Sequence, residues 1–175
     1  MSTGQSLLTI AAFMFLSTLL VNFYRLAASN GDVIAGGQDG IAETTIAISY
    51  IEIANGLAFD TVTDTSDIAI NNPNSLTPPD QLGHGFSEDS LHKFNDFDDF
   101  KGYSEEKEML GSGRRYKTKF DVYYVDPNNV NNKSSVRTFV KRMDLNVWRI
   151  FPPPDKDSGL DTMKTFTTMG YFHFD

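Results

Sequence analysis

Leu7-Leu8-Thr9-Ile10-Ala11-Ala12-Phe13-Met14-Phe15-Leu16-Ser17-Thr18-Leu19-Leu20-Val21 carries no charge, no glycine and no proline. Asn22, Phe23 and Tyr24 follow, and Arg25 is the first charge in the chain. A membrane-spanning helix needs about 20 mostly apolar residues, a length that residues 5–24 approach. Thr9, Ser17 and Thr18 are tolerated there because their hydroxyls can bond back to helix carbonyls. Three readings compete for this segment. A cleaved secretory signal usually opens on Lys or Arg, and the first six residues, MSTGQS, have neither. A small-residue site follows only in Leu26-Ala27-Ala28-Ser29. The other two are a buried helix of a soluble domain and a retained membrane or assembly helix. The retained helix is the favoured reading, although Arg25 on its C-terminal side is the wrong way round for the positive-inside tendency.

Outward from this segment, residues 29–40 read SNGDVIAGGQDG. Gly31, Gly36, Gly37 and Gly40 each weaken a helix by about 1 kcal/mol relative to Ala, so a break, kink or melting point is expected here. Helical periodicity returns over 41–59. Ala47, Tyr50, Ile51, Ala54, Leu57 and Ala58 share one face, which predicts an amphipathic helix ending near Gly56 to Asp60. Residues 60–115 hold turn chemistry such as NNPNS and TPPDQLGHG, with a short strand expected near Ile68 to Ile70.

The last 60 residues read as strands. In 117–125, Phe120, Val122 and Tyr124 share one face and Lys119, Asp121 and Tyr123 the other. The stretch DPNNVNNKSS reads as a long turn. In 137–150, Phe139, Met143, Leu145 and Val147 fall on one face, and Arg142, Asp144, Asn146 and Trp148 on the opposite one. Pro152, Pro153 and Pro154 stop that strand, because proline cannot donate to a ladder. Residues 163–174 are a third strand candidate. The expected fold class is α+β: a long N-terminal hydrophobic helix, with a possible break near 30–40, packed on a small antiparallel β-sheet head. The expected division is a helical stalk over 1–60 and a globular head over 61–175.

Composition narrows the function. The chain has 175 residues, 40% of them apolar, and a net charge of −8. An acidic chain lacks the basic face that phosphate binding needs, so nucleic acid is not an expected partner. It has no cysteine, which excludes disulfides, zinc–thiolate sites and thiol catalysis. The three histidines, His84, His92 and His173, form no i, i+4 pair and read as surface or strand-edge residues. No Gly-x-Ser-x-Gly, P-loop or dinucleotide glycine pattern is present, and no enzyme is expected. Gly111-Ser112-Gly113-Arg114-Arg115 reads as a turn with a basic flank. Asp96, Asp98 and Asp99 are the best polar cluster and the candidate Ca²⁺ ligands, although the glycine and terminal glutamate of an EF-hand are out of register. A solvated acidic loop is the expected reading, with no metal or other cofactor. Trp148 and the aromatic residues of the head read as core or interface anchors.

Together these pieces resemble the type IV pilin and type II secretion pseudopilin superfamily, in its minor-pilin branch. The resemblance rests on Gly4 standing before the uncharged helix, in Gly4-Gln5-Ser6-Leu7-Leu8-Thr9-Ile10. It rests also on Ala47-Ile48-Ser49-Tyr50-Ile51-Glu52 as the second half of a long helix. The Asp-rich, aromatic-laced stretch from Phe94 to Tyr103, and Val140 to Trp148 as a central strand, complete it. Gln5 and Thr9 stand where that superfamily usually has Phe or Met and Glu. The resemblance implies processing between Gly4 and Gln5. It also implies a filament whose core is lined by Leu7, Leu8, Ile10, Phe13, Met14, Phe15, Leu16, Leu19, Leu20 and Val21. The implied partners are copies of the same chain, the membrane before assembly, other pilin-like subunits and an export machine. The implied place is an extracellular filament with an inner-membrane pool. The rival expectation is a membrane-anchored monomeric adhesion or binding domain.

Overall fold

The computed structural model describes residues 3–65, 69–153 and 162–172. The chain forms two compact units, Met1–Gly40 and Ile41–Asp175.

One helix, α1 (Thr3–Asn55), crosses from the first unit into the second. It is continuous through Gly31, Gly36, Gly37 and Gly40, so the break expected at 30–40 is absent from this chain. A glycine penalty of about 1 kcal/mol is a propensity, not a prohibition, and every backbone N–H in the middle of a helix still has its carbonyl four residues back. Beyond Asn55 the turn tightens, with Gly56 N donating to Ile53 O at 3.0 Å and Leu57 N to Ala54 O at 3.2 Å. These bonds satisfy carbonyls that the end of a helix leaves free.

Five antiparallel strands follow among the described residues: β1 (Ser104–Met109), β2 (Arg114–Asp126), β3 (Asn129–Lys133), β4 (Val140–Phe151) and β5 (Met163–Gly170). Their order is β1-β2-β4-β5, and β3 pairs with the far end of β2. The β1–β2 hairpin turns through Gly111 (φ 82°) and Gly113 (φ 63°), left-handed conformations that glycine adopts without steric cost.

The antiparallel head agrees with the sequence pattern in β2, β4 and β5, and departs from it elsewhere. Strand β1, of sequence SEEKEM, lies in the stretch read as turns. The supposed long turn DPNNVNNKSS contains β3. Ala69 and Ile70 are in no strand, and Ile68 lies outside the described residues, as do His173 and Phe174.

Alternation along β2 and β4 decides what is buried. Tyr116, Thr118, Phe120, Val122 and Tyr124 face inward from β2, and Lys141, Met143, Leu145 and Val147 from β4. The register sets Phe120 beside Leu145, Val122 beside Met143 and Tyr124 beside Lys141. Onto this face the last part of α1 lays Ala42, Ile46, Ala47, Tyr50 and Ala54, a stripe at helical spacing. Tyr50 and Phe120 meet edge to face with ring centroids 5.0 Å apart. Its hydroxyl donates to Glu105 Oε2 at 2.7 Å. Phe94, Phe97 and Phe100 close the same core, Phe100 lying 5.1 Å from Phe120.

Candidate functional site

Two features stand out, one in each unit. In the first, Leu7, Leu8, Ile10, Phe13, Met14, Phe15, Leu16, Leu19, Leu20 and Val21 are all exposed, as are Phe23, Tyr24, Leu26, Val33 and Ile34. They lie all round the helix. A helix apolar on every side belongs in lipid or in a protein core, not in water. At 1.5 Å per residue, the uncharged residues 5–24 span about 30 Å, the hydrocarbon thickness of a bilayer. Thr9 Oγ1 donates to Gln5 O and Thr18 Oγ1 to Met14 O, both at 2.9 Å. Neither hydroxyl would then enter an apolar medium unsatisfied. Among the described residues, α1 is the one helix long and apolar enough to cross a membrane. Gly4 and Gln5 sit in its first turn, and a side chain at Gly4 would meet open space.

The second feature lies inside the head. Asp96, Asp98 and Asp99 are buried, each at most 2% exposed, which corrects the expectation of a solvated acidic loop. Asp96 caps the 3-10 turn Phe97–Phe100, accepting from Asp98 N at 2.9 Å and from the hydroxyl of Thr61. Asp99 closes the capping box, its Oδ2 accepting from Asn95 N at 2.9 Å and Asp96 N at 3.2 Å. The turn also pairs with the chain after α1, where Phe97 N donates to Ala58 O at 2.9 Å.

The cation facing these carboxylates is Lys141, an inward residue of β4 whose side chain is fully buried. Its ammonium has three protons and three acceptors: Phe59 O at 2.7 Å, Asp60 Oδ2 at 2.9 Å, and Asp98 Oδ1 in direct contact. The rings of Phe59 and Tyr124 lie 4.6 and 5.4 Å from Nζ and wall the amine off from water. Asp60 is further held by Val62 N, Thr77 N and Thr77 Oγ1, at 2.9–3.2 Å. Tyr124 Oη donates to Thr77 O at 2.8 Å. One ammonium therefore ties β4 to two separate segments, Phe59–Asp60 and the turn that holds Asp98, while Asp60 and Tyr124 of β2 both bind a third at Thr77.

Two carboxylates compete for that single charge, and their surroundings separate them. Burial works against ionisation of Asp60, but the charge and hydrogen bond of Lys141, with the bonds from Thr77, outweigh it and hold the carboxyl below its usual range. For Asp98 burial prevails, aided by the neighbouring Asp96 and opposed by Lys141, and pushes the carboxyl up to about 7. Burial and the Asp96 charge likewise raise Asp99 to about 6, against the pull of its two backbone donors. The better hydrogen-bonded Asp60 holds its negative charge more firmly, and Asp98 is the readier of the two to take up a proton.

Among the described residues, no group of three His, Asp or Glu side chains is arranged to hold a metal ion. His84 stacks on Phe94 and His92 lies in a short 3-10 turn, while His173 is outside the described residues. The roles of Lys141, Asp60, Thr77 and Tyr124 went unread in the sequence. One signal was present: Lys141 shares the parity of Met143, Leu145 and Val147, so the alternation that buries them buries it too. No protein-family model, curated protein or solved structure matches the chain.

Proposed function

We propose that the chain is a structural, non-enzymatic subunit of a pilus-like or pseudopilus filament at the cell surface, assembled through the apolar part of α1. The observation that carries this reading is the helix that is apolar on every side and exposed from Leu7 to Tyr24. Such a surface is stable in two settings. Before assembly it lies in lipid, and in the filament it packs against the same helix of neighbouring subunits. Burying the ten large side chains between Leu7 and Val21 contributes about 15–30 kcal/mol gross, opposed by the costs of ordering and association. Ala11, Ala12 and Ser17 let neighbouring helices approach closely. Identical contacts repeated along a screw axis give an open filament and not a closed ring. Processing between Gly4 and Gln5 belongs to the same reading. So does local unwinding at Gly31, Gly36, Gly37 and Gly40 during assembly, where four glycines make α1 least costly to open.

The test is to shear cells producing the chain and to probe the sheared filaments and the membrane pellet for it, with the N-terminal residue read by mass spectrometry. Recovery in the filament fraction with residues 7–21 intact is the expected result. Recovery in the membrane pellet alone would replace the filament by a monomeric anchored domain. A mature chain beginning near Ser29 would overturn both.

A further inference from the structure

We propose that Lys141 and Asp98 condense to an intramolecular isopeptide bond, with Asp60 as the catalytic carboxylate. The site stands within the head and does not depend on how the chain assembles.

Four observations carry the proposal. The amine and the carboxyl are in direct contact although 43 positions apart in sequence, and their side chains are 0% and 3% exposed. Both are held on firm elements: Lys141 by ladder bonds to β2 and β5 on either side, Asp98 by a capped turn whose backbone is bonded to Asp96 and Ala58. Reactants fixed in contact gain an effective concentration that free groups in water lack. Phe59 and Tyr124 close the amine off from bulk water, so a water released by condensation leaves a site that solvent does not flood. A third group, Asp60, touches Nζ at 2.9 Å and is itself fixed by Thr77 and Val62.

The chemistry follows from this arrangement. A proton passes from the Lys141 ammonium to Asp98, leaving a neutral amine and a carboxylic acid. Burial already favours the protonated form of Asp98. The Nζ lone pair attacks Cγ of Asp98. Asp60 accepts a proton from the nitrogen as the new bond forms and returns it to the departing hydroxyl. One Nζ–Cγ bond is made, one Cγ–O bond breaks and one water leaves, with no oxidant, reductant or other co-reactant. Both charges of the Lys141–Asp98 pair vanish, and Asp60 stays held by its bonds from Thr77 and Val62. The product ties β4 to the turn Phe97–Phe100 across β1, β2 and β3, a covalent ring in a chain without cysteine. Such a ring restricts the unfolded chain as a disulfide does.

The test uses the full chain, extracted in detergent, denatured and digested with trypsin. Residues 94–101 and 138–142 would be recovered as one branched peptide, lighter by one water than their sum. Cleavage after Lys141 would be absent, and fragmentation would place the link on Asp98. Lys141→Arg and Asp98→Ala would each abolish the branched peptide, and Asp60→Asn would leave its two halves separate. Wild-type protein yielding only linear 94–101 and 138–141 overturns the proposal whatever the variants do. A link that maps to Asp60 overturns the assignment of roles, as does a full yield of link in Asp60→Asn.

Discussion

Replacing Tyr50 by Ala tests whether the last part of α1 belongs to the core of the head. The ring is 1% exposed and meets Phe120 edge to face at 5.0 Å. Its hydroxyl donates to Glu105 Oε2 at 2.7 Å, and Lys107 lies over its outer face. Removing a buried aromatic side chain costs about 3–5 kcal/mol, through lost transfer energy and the cavity that remains. Tyr50→Phe keeps the ring and loses only a hydrogen bond to a partly exposed carboxylate, about 1–2 kcal/mol. Urea unfolding of the full chain in detergent, followed by the fluorescence of the single Trp148, measures both. With a slope of about 1.5–2 kcal/mol per molar urea, Tyr50→Ala should move the midpoint down by about 2–3 M and Tyr50→Phe by under ~1.5 M. A midpoint within ~0.5 M of wild type for Tyr50→Ala would refute the packing of residues 41–55 on the sheet. Equal losses for the two variants would mean that the hydroxyl, not the ring, carries the contact.

Three further expectations concern other parts of the chain. Asp99 has its carboxyl raised from 3.8 to about 6, so the stability it contributes is complete below about pH 4 and is lost as pH rises through 6. Asp99 should therefore account for a fall in the melting temperature of the head between pH 4 and 7 equivalent to about 1–3 kcal/mol, and Asp99→Asn should remove that part of the slope in thermal melts across the range. In the first unit, Leu16→Arg places a charge midway along the uncharged residues 5–24 and should raise the apparent free energy of membrane insertion by about 3–4 kcal/mol, read with a glycosylation-mapped insertion reporter; Leu16→Val should change it by under ~0.5 kcal/mol. Gly102 has φ 77° between the Phe97–Phe100 turn and β1, with open space where a Cβ would stand. Gly102→Ala should then cost about 1–2 kcal/mol from backbone strain alone, and Gly102→Asn less, in the same urea assay.

The elements legible in the sequence are those whose pattern is local. Residues 7–21 are apolar without interruption, and lipid or an equivalent apolar setting demands that of a helix whatever the rest of the chain does. Strands β2 and β4 show themselves by alternation, because one face of each is buried over several residues. Strand β1 escapes that reading. SEEKEM is an edge strand with little burial on either face, so no period marks it. Strand β3, NVNNK, is mostly exposed and is held by only a short pairing with β2. The glycines of 31–40 misled in the other direction, since propensity weighs a helix but does not end it.

The charged cluster marks the limit of reading by pattern. Asp96, Asp98 and Asp99 look like solvent-facing acids, because burying a carboxylate is costly unless a partner waits for it. Whether one waits is a long-range matter. Lys141 lies on β4, far from the turn of the aspartates, and Asp60 beyond the end of α1, and only the register of β2 with β4 and the pairing of Ala58 with Asp96 bring them together. The sequence alone determined the unbroken apolar character of residues 7–21 and the alternating faces of the two longest strands, since those follow from spacing between near neighbours. The tertiary structure alone decided the burial of the aspartates and the contact of Lys141 with Asp60 and Asp98. A charge inside a protein is stabilised by groups that meet it in space, and their separation along the chain carries no trace of the meeting.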